Sequence, residues 1–220
     1  MALNLKKLGN FFSPLQVAGQ VHIIGCGAIG SWIAMQLVRQ GLRDIELWDF
    51  DEIDSHNLTN QHYPRTHIGQ PKVVSLRSQM RSINPEARVI IHKEPYVNQP
   101  LAGYVFLCVD SIDLRREITE QHLNNPLILG MFDCRMGLTS AQHYAADWKS
   151  PKQKERFLAS MQFSDDEVEI TSACGTQLSV LPTVLNITQV AVANFMNHTK
   201  GLDLKNEVHI DSFIFTTNYY

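Results

Sequence analysis

Residues 20–41 read QVHIIGCGAIGSWIAMQLVRQG. A short β-branched run, VHII, enters Gly-Cys-Gly-Ala-Ile-Gly without a break, and the residues beyond it place apolar side chains at helical spacing until Gly41 stops them. Strand, glycine turn and helix in that order begin a crossover unit, and the next apolar run, 45–48, supplies its second strand. In this setting Gly25, Gly27 and Gly30 form a G-x-G-x-x-G pattern. The first glycine permits the tight turn, the second lets a phosphate approach the backbone, and the third lets the helix lie close to the strand. The first N–H groups of the helix then face negative oxygens. The pattern predicts a nucleotide site, but it does not choose among NAD, FAD, a methyl donor and ATP.

Further strand and helix signals follow at regular intervals. A helix is predicted over 72–82, strands over 88–92 and 104–109, a helix over 113–123, and strands over 127–132 and 139–146. The run YVFLCV at 104–109 is continuously apolar, as expected of a strand covered on both faces. A mostly apolar helix is predicted over 181–196, and the closing EVHIDSFIFTTNYY reads as a terminal strand. This alternation predicts an α/β, Rossmann-like, doubly wound and mainly parallel sheet flanked by helices. The chain reads as a single domain, 1–220, interrupted by a polar and charged stretch at 148–169 expected to be a surface excursion.

Composition narrows the function classes. The 220 residues carry 22 acids against 19 Lys and Arg, a net charge of −3, which supplies no strong field for a nucleic-acid backbone. The one basic run, KSPKQKER at 149–156, reads equally well as a solvated surface. Cys26, Cys108, Cys134 and Cys174 are widely separated and form no C-x-x-C pair, so no zinc is expected and a reducing, cytoplasmic setting is. No apolar stretch approaches the roughly 20 residues of a membrane span, and the start of the chain lacks a convincing signal peptide.

The chemistry-bearing residues gather after the second strand, where 49–61 read DFDEIDSHNLTNQ. Asp49 stands 19 positions beyond Gly30 at the end of that strand, where a carboxylate can accept ribose hydroxyls. Lys72, after the turn IGQP, begins a helix and can reach phosphate oxygens, or can equally be a solvent-facing first-turn lysine. Asp110 ends the buried 104–109 run on the same edge of the sheet as Gly25 and Asp49. It can hold Mg²⁺ with phosphates, while the competing reading makes Asp110 or Ser111 the N-cap of the next helix. Asn57, Asn60 and Gln61 can bond a phosphate or a carboxylate, or make ordinary turn contacts. His56 and His62 read as loop residues rather than metal ligands. Cys174, in SACGTQ, is either a nucleophile or a buried structural cysteine.

Taken together, GCGAIG, DFDEIDSHNLTNQ, IGQPK with the following INP, and DSIDLRREI after a buried strand resemble the adenylyltransferase family that activates ubiquitin-like and sulfur-carrier proteins. The resemblance covers roughly residues 18–140 well and the later helix and strand more weakly. It implies ATP and Mg²⁺, attack of a partner's C-terminal carboxylate on the α-phosphate, an acyl-adenylate, release of pyrophosphate, and a homodimer. It implies roles for Gly25, Gly27 and Gly30 beside the nucleotide, Asp49 on ribose, and Asp51 near phosphates and metal. Asn57, Asn60 and Gln61 fall in the polar motif, Lys72 on phosphate and Asp110 on Mg²⁺, with Cys174 as an acyl or sulfur acceptor. The implied partner is a small ubiquitin-like or sulfur-carrier protein or peptide, and neither nucleic acid nor membrane is expected to be involved. The sequence departs from the family at position 60, where Asn replaces an expected Arg and so removes a positive charge; Arg65 and Arg135 are candidate replacements. That departure leaves open a noncatalytic carrier-binding protein, and the glycine pattern alone leaves open an NAD-dependent oxidoreductase.

Overall fold

The computed structural model describes residues 2–163 and 178–220. One eight-stranded sheet runs in the order β3-β2-β1-β4-β5-β6-β7-β8. The strands are β1 (Val21–Ile24), β2 (Asp44–Trp48), β3 (Arg88–His92), β4 (Gly103–Leu107), β5 (Ile128–Met136), β6 (Ser140–Asp147), β7 (Glu207–Asp211) and β8 (Thr216–Tyr219). The first five pair in parallel and the last three join by antiparallel pairing. The α/β, mainly parallel, doubly wound reading therefore holds.

Residues alternate across the strands between two cores. Val21, Ile23, Ile45, Leu47, Phe106 and Phe132 face one layer, built with α1 (Ala28–Arg39), α2 (Lys72–Ile83) and α5 (Leu181–Thr199). Ile24, Trp48, Val105, Leu107 and Met131 face the other, built with α3 (Ile112–Gln121) and α4 (Pro151–Ala159). All five residues of β4 are buried, as expected of a strand with helices on both sides.

Two stretches differ from the sequence reading. The described part of 148–169 is not an irregular excursion: α4 starts on a Ser150 cap, and Trp148, Phe157 and Met161 bury into the second core. The helix is polar because a few anchors suffice to dock it on the sheet. The terminal strand is a hairpin, β7 and β8, whose connection passes through Phe215 at φ 57°. A left-handed turn built without glycine leaves no turn signal in the sequence.

The strand order fixes where a ligand fits. The chain leaves β1 for β2 and β3, then returns to β4 on the other side of β1, so the loops after β1 and β4 diverge at the switch point of the sheet. They touch there: Cys108 N–H donates to the Ile24 carbonyl at 2.8 Å.

Behind this edge His143 on β6 is fully buried. Its Nδ1 donates to the Asp133 carbonyl at 3.0 Å, leaving Nε2 to accept from Asn194 at 3.1 Å. Burial pushes the imidazole down to about 4. The unfolded chain takes up a proton near pH 6.5 and the folded chain does not until about pH 4, so stability falls as pH drops through that interval. Urea unfolding at pH 7 and pH 4.5 should differ by on the order of 2–3 kcal/mol from this residue, and a His143→Gln variant should flatten that part of the slope.

Candidate functional site

Gly25 and Gly30 are demanded by packing. Gly25 has φ 92°, and a Cβ there would lie 2.6 Å from the Cys108 carbonyl oxygen; a Cβ on Gly30 would overlap the Gly25 carbonyl oxygen. Gly27 is different, because a Cβ there would meet nothing within 4 Å. That open space faces the start of α1, where the N–H groups of Gly27, Ala28 and Ile29 have no acceptor among the described residues. The turn therefore presents orphan donors beside a cleared approach, which suits a phosphate.

The polar run wraps round this turn. Asp49 accepts from Cys26 N–H at 2.6 Å with one oxygen and from Asp51 N–H at 2.8 Å with the other. Burial raises its carboxyl above the usual range, with the Lys72 charge and the two N–H bonds pulling back. Each oxygen retains a lone pair for a ribose hydroxyl. Lys72, only 6% exposed, is no solvent-facing lysine; its Nζ pairs with Asp51 Oδ2 at 2.6 Å, and its backbone N–H donates to the Asp51 carbonyl at 2.9 Å. Its charge is felt at both Cys26 and Asp49.

Other residues of the run serve the loop itself. Asn57 is buried and completes a capping box with Asp54, its Oδ1 accepting from the Asp54 N–H at 2.8 Å. Asn60 donates from Nδ2 to Ser179 Oγ, and its carbonyl accepts from Trp32 Nε1 at 3.0 Å. Gln61 Oε1 is buried with no hydrogen-bond partner among the described residues, which marks it as an acceptor with capacity to spare. His62 bonds Gln79 at 3.1 Å and meets the edge of Trp32; His56 lies 3.5 Å from Asp54. Among the described residues no three His, Cys, Asp or Glu side chains form a cluster able to hold a metal.

Ser111, not Asp110, caps α3, accepting from Leu114 N–H at 3.0 Å. Asp110 is exposed in the loop after β4, with no hydrogen bond or ion pair among the described residues. A carboxylate left free at the switch point fits Mg²⁺, which needs only one or two protein oxygens when phosphates and water complete its shell. Asp51 fits less simply, because it already neutralises Lys72.

The loop bearing Asp110 is held by residues the sequence reading passed over. Arg115 is 5% exposed and donates to the Val109 carbonyl, to the Cys134 carbonyl and to Asp133, which is fully buried on β5. Arg135 donates to the other oxygen of Asp133 at 2.7 Å and to the Ser160 carbonyl at 2.6 Å, and its guanidinium lies over Tyr144 at 4.4 Å. Arg135 is thus committed to structure and does not stand in for a cation at position 60. Arg65 is exposed on a short helical turn, and its side chain has no hydrogen bond or ion pair among the described residues. The signal for Arg115 lay in DSIDLRREI, but its partner Asp133 stands 18 residues away on another element.

Burial pushes the thiols of Cys26, Cys108 and Cys134 up, Cys108 to about 12, so none is poised as a nucleophile. Cys174 lies outside the described residues. A cleft of about 220 Å³ at the opposite edge of the sheet, lined by Leu5, Phe12, Gly41, Arg43 and Glu86 among others, has its charge spent in an Arg43–Glu86 pair at 2.5 Å. It offers no phosphate chemistry.

Fold and site together define a Rossmann-like protein with a tight glycine turn at its switch point, its N–H groups unpaired among the described residues. The chain belongs to the ThiF family, whose model matches residues 15–208, and so to the ThiF/MoeB/ubiquitin-activating-like adenylyltransferase superfamily. Among curated proteins it is 33% identical over 106 residues to tRNA threonylcarbamoyladenosine dehydratase of Escherichia coli, covering 45% of this chain and 40% of that protein. It is 27% identical over 122 residues to molybdopterin-synthase adenylyltransferase of Haemophilus influenzae, covering 51% and 50%. The chain thus spans half or less of the length of these relatives. Among solved structures, E. coli MccB with ATP has a TM-score of 0.74 at 16% identity, covering 94% of this chain and 65% of that one, a likeness of fold. No helix among the described residues is long and apolar enough to cross a membrane.

Replacing Arg115 with Ala leaves Asp133 buried with one cation instead of two. The expected cost is about 3 kcal/mol in urea unfolding, larger than for an exposed pair such as Arg88–Asp44.

Proposed function

We propose that this protein binds ATP at the β1/β4 switch point and adenylates a carboxylate, that of the C-terminus of a small ubiquitin-like or sulfur-carrier protein or of a peptide. The observation that carries the reading is a buried ammonium, Lys72, on an edge that also presents helix N–H groups and a carboxylate, Asp110, without partners among the described residues. In this reading Asp49 accepts the ribose hydroxyls, the start of α1 and Lys72 meet phosphate oxygens, and Asp51 sets where Lys72 can point. Gln61 Oε1 receives a donor from the nucleotide or the carboxylate substrate. Asp110 would hold Mg²⁺, which when bound offsets charge on the phosphates. The carboxylate forms a bond to the α-phosphorus as the bond to pyrophosphate breaks. The site's work is to orient the two reactants and stabilise growing negative charge, with no covalent contribution from the chain. Cys174 as a later acceptor and the homodimer belong to the same proposal.

A molybdopterin-synthase adenylyltransferase among the relatives supports a carrier protein, and MccB, crystallised with MccA, supports a peptide. A second reading comes from the tRNA threonylcarbamoyladenosine dehydratases, since a threonylcarbamoyl group also carries a carboxylate whose activation would precede loss of water. The net charge of −3 and the absence of a broad basic run favour the first. The noncatalytic reading rests on Asn60, whose amide is turned to Ser179 and supplies no charge.

Exchange of labelled pyrophosphate into ATP separates these readings. Exchange is expected with a carrier or peptide substrate, and exchange only with the modified tRNA selects the second reading. Binding of a confirmed cognate carrier without exchange removes the enzyme. In the active system Asp110→Ala should lower exchange roughly 100-fold while leaving the urea midpoint unchanged.

A further inference from the structure

The Cys26 residue is gripped at both of its backbone polar groups. Its N–H donates to Asp49 at 2.6 Å, and its carbonyl accepts from the Tyr63 hydroxyl at 2.6 Å. A trans peptide points its N–H opposite to its carbonyl, and no peptide bond among the described residues is cis. The bond from Tyr63 therefore also orients the N–H of Gly27, directing it away from the Tyr63 ring. That N–H is one of the orphan donors at the head of α1, and it adjoins the open space at Gly27.

Tyr63 is itself held in place. It is 7% exposed, and its backbone N–H donates to the Gln61 carbonyl at 2.9 Å. The preceding residue is tied to α1 by the His62 N–H, which donates to the fully buried Ser31 Oγ at 3.0 Å. The carbonyl of Asn60 is tied to α1 through Trp32. The end of the polar run is thus stitched to the first turns of α1, and the phenol reaches back under the glycine turn. Burial raises the Tyr63 hydroxyl well above its ordinary range, so it remains a donor through the neutral range.

We infer that Tyr63 is a positioning residue for the phosphates of the nucleotide: by holding the Cys26 carbonyl inward, it keeps the Gly27 N–H aimed at the ligand before the ligand arrives. This rests on the nucleotide reading of the site. A preformed donor avoids reorganisation on binding, and its benefit falls on the phosphate part of a ligand alone.

The test is ¹⁵N-resolved NMR titration of the full chain, wild type and Tyr63→Phe, with ATP and separately with adenosine. The Phe variant keeps the ring and removes only the hydroxyl. The expected result is a wild-type Gly27 amide that moves with ATP and not with adenosine, and a Tyr63→Phe variant that binds ATP about 10-fold more weakly with adenosine affinity changed less than about twofold. Equal losses for ATP and adenosine, or undiminished ATP affinity in a folded variant, overturn the inference and leave the nucleotide reading standing. Should the variant not fold, the wild-type titration decides alone: a Gly27 amide unmoved by saturating ATP overturns the inference. A wild-type chain that binds no ATP removes the nucleotide reading and this inference together.

Discussion

The absence of a side chain at Gly30 sets how closely α1 lies against the turn that leaves β1. Any Cβ there would overlap the Gly25 carbonyl oxygen, so the helix would have to lift, and the turn, the head of the helix and the loop after β4 would separate. Every other element of the site is referred to that contact. Asp49 bonds the turn from one side and Tyr63 from the other, Trp32 and Ser31 hold the polar run from the body of α1, and Cys108 closes the crevice from β4. The site is a single clasp around one tight backbone approach.

Two kinds of charge arrangement surround the clasp. Deep in the sheet, Asp133 lies between Arg115 and Arg135, and its purpose is geometric: the arginines spend their remaining donors on the carbonyls of Val109, Cys134 and Ser160 and so lock the loop that presents Asp110. At the rim, Lys72 and Asp51 form a pair with one buried and one exposed member. The first arrangement is fixed because Asp133, which both arginines share, has no access to water. The second can exchange partners because Asp51 has.

The sequence made β1, its glycine turn, α1 and β3 legible because the relevant signals are local: β-branched runs, helical spacing and glycines whose conformations no other residue tolerates. The predicted strand at 88–92 matches β3 at both ends. What escaped depends on partners far along the chain. Arg115 sits in a charged helical stretch, and only the neighbouring strand supplies the buried aspartate that pairs with it. The hairpin of β7 and β8 was hidden because an apolar SFIF tip makes the turn that glycine or asparagine usually announces. Within the polar run, residue type alone did not separate Asn57, which caps its own loop, from Gln61, whose acceptor has no partner among the described residues.

The pairing of Lys72 with Asp51 changes what entry of an anion into this crevice means. The lysine is not a bare cation awaiting a ligand, since a carboxylate already occupies its best direction at 2.6 Å. An arriving polyanion must share that ammonium or take it over, so the electrostatic gain is the difference between two attractions rather than the whole of one. Monovalent anions have little to offer in such an exchange. On the proposed nucleotide reading, a chain of linked phosphates, able to satisfy the ammonium and the helix N–H groups together, has more, and selectivity would then lie in the spacing of the donors rather than in the size of the charge.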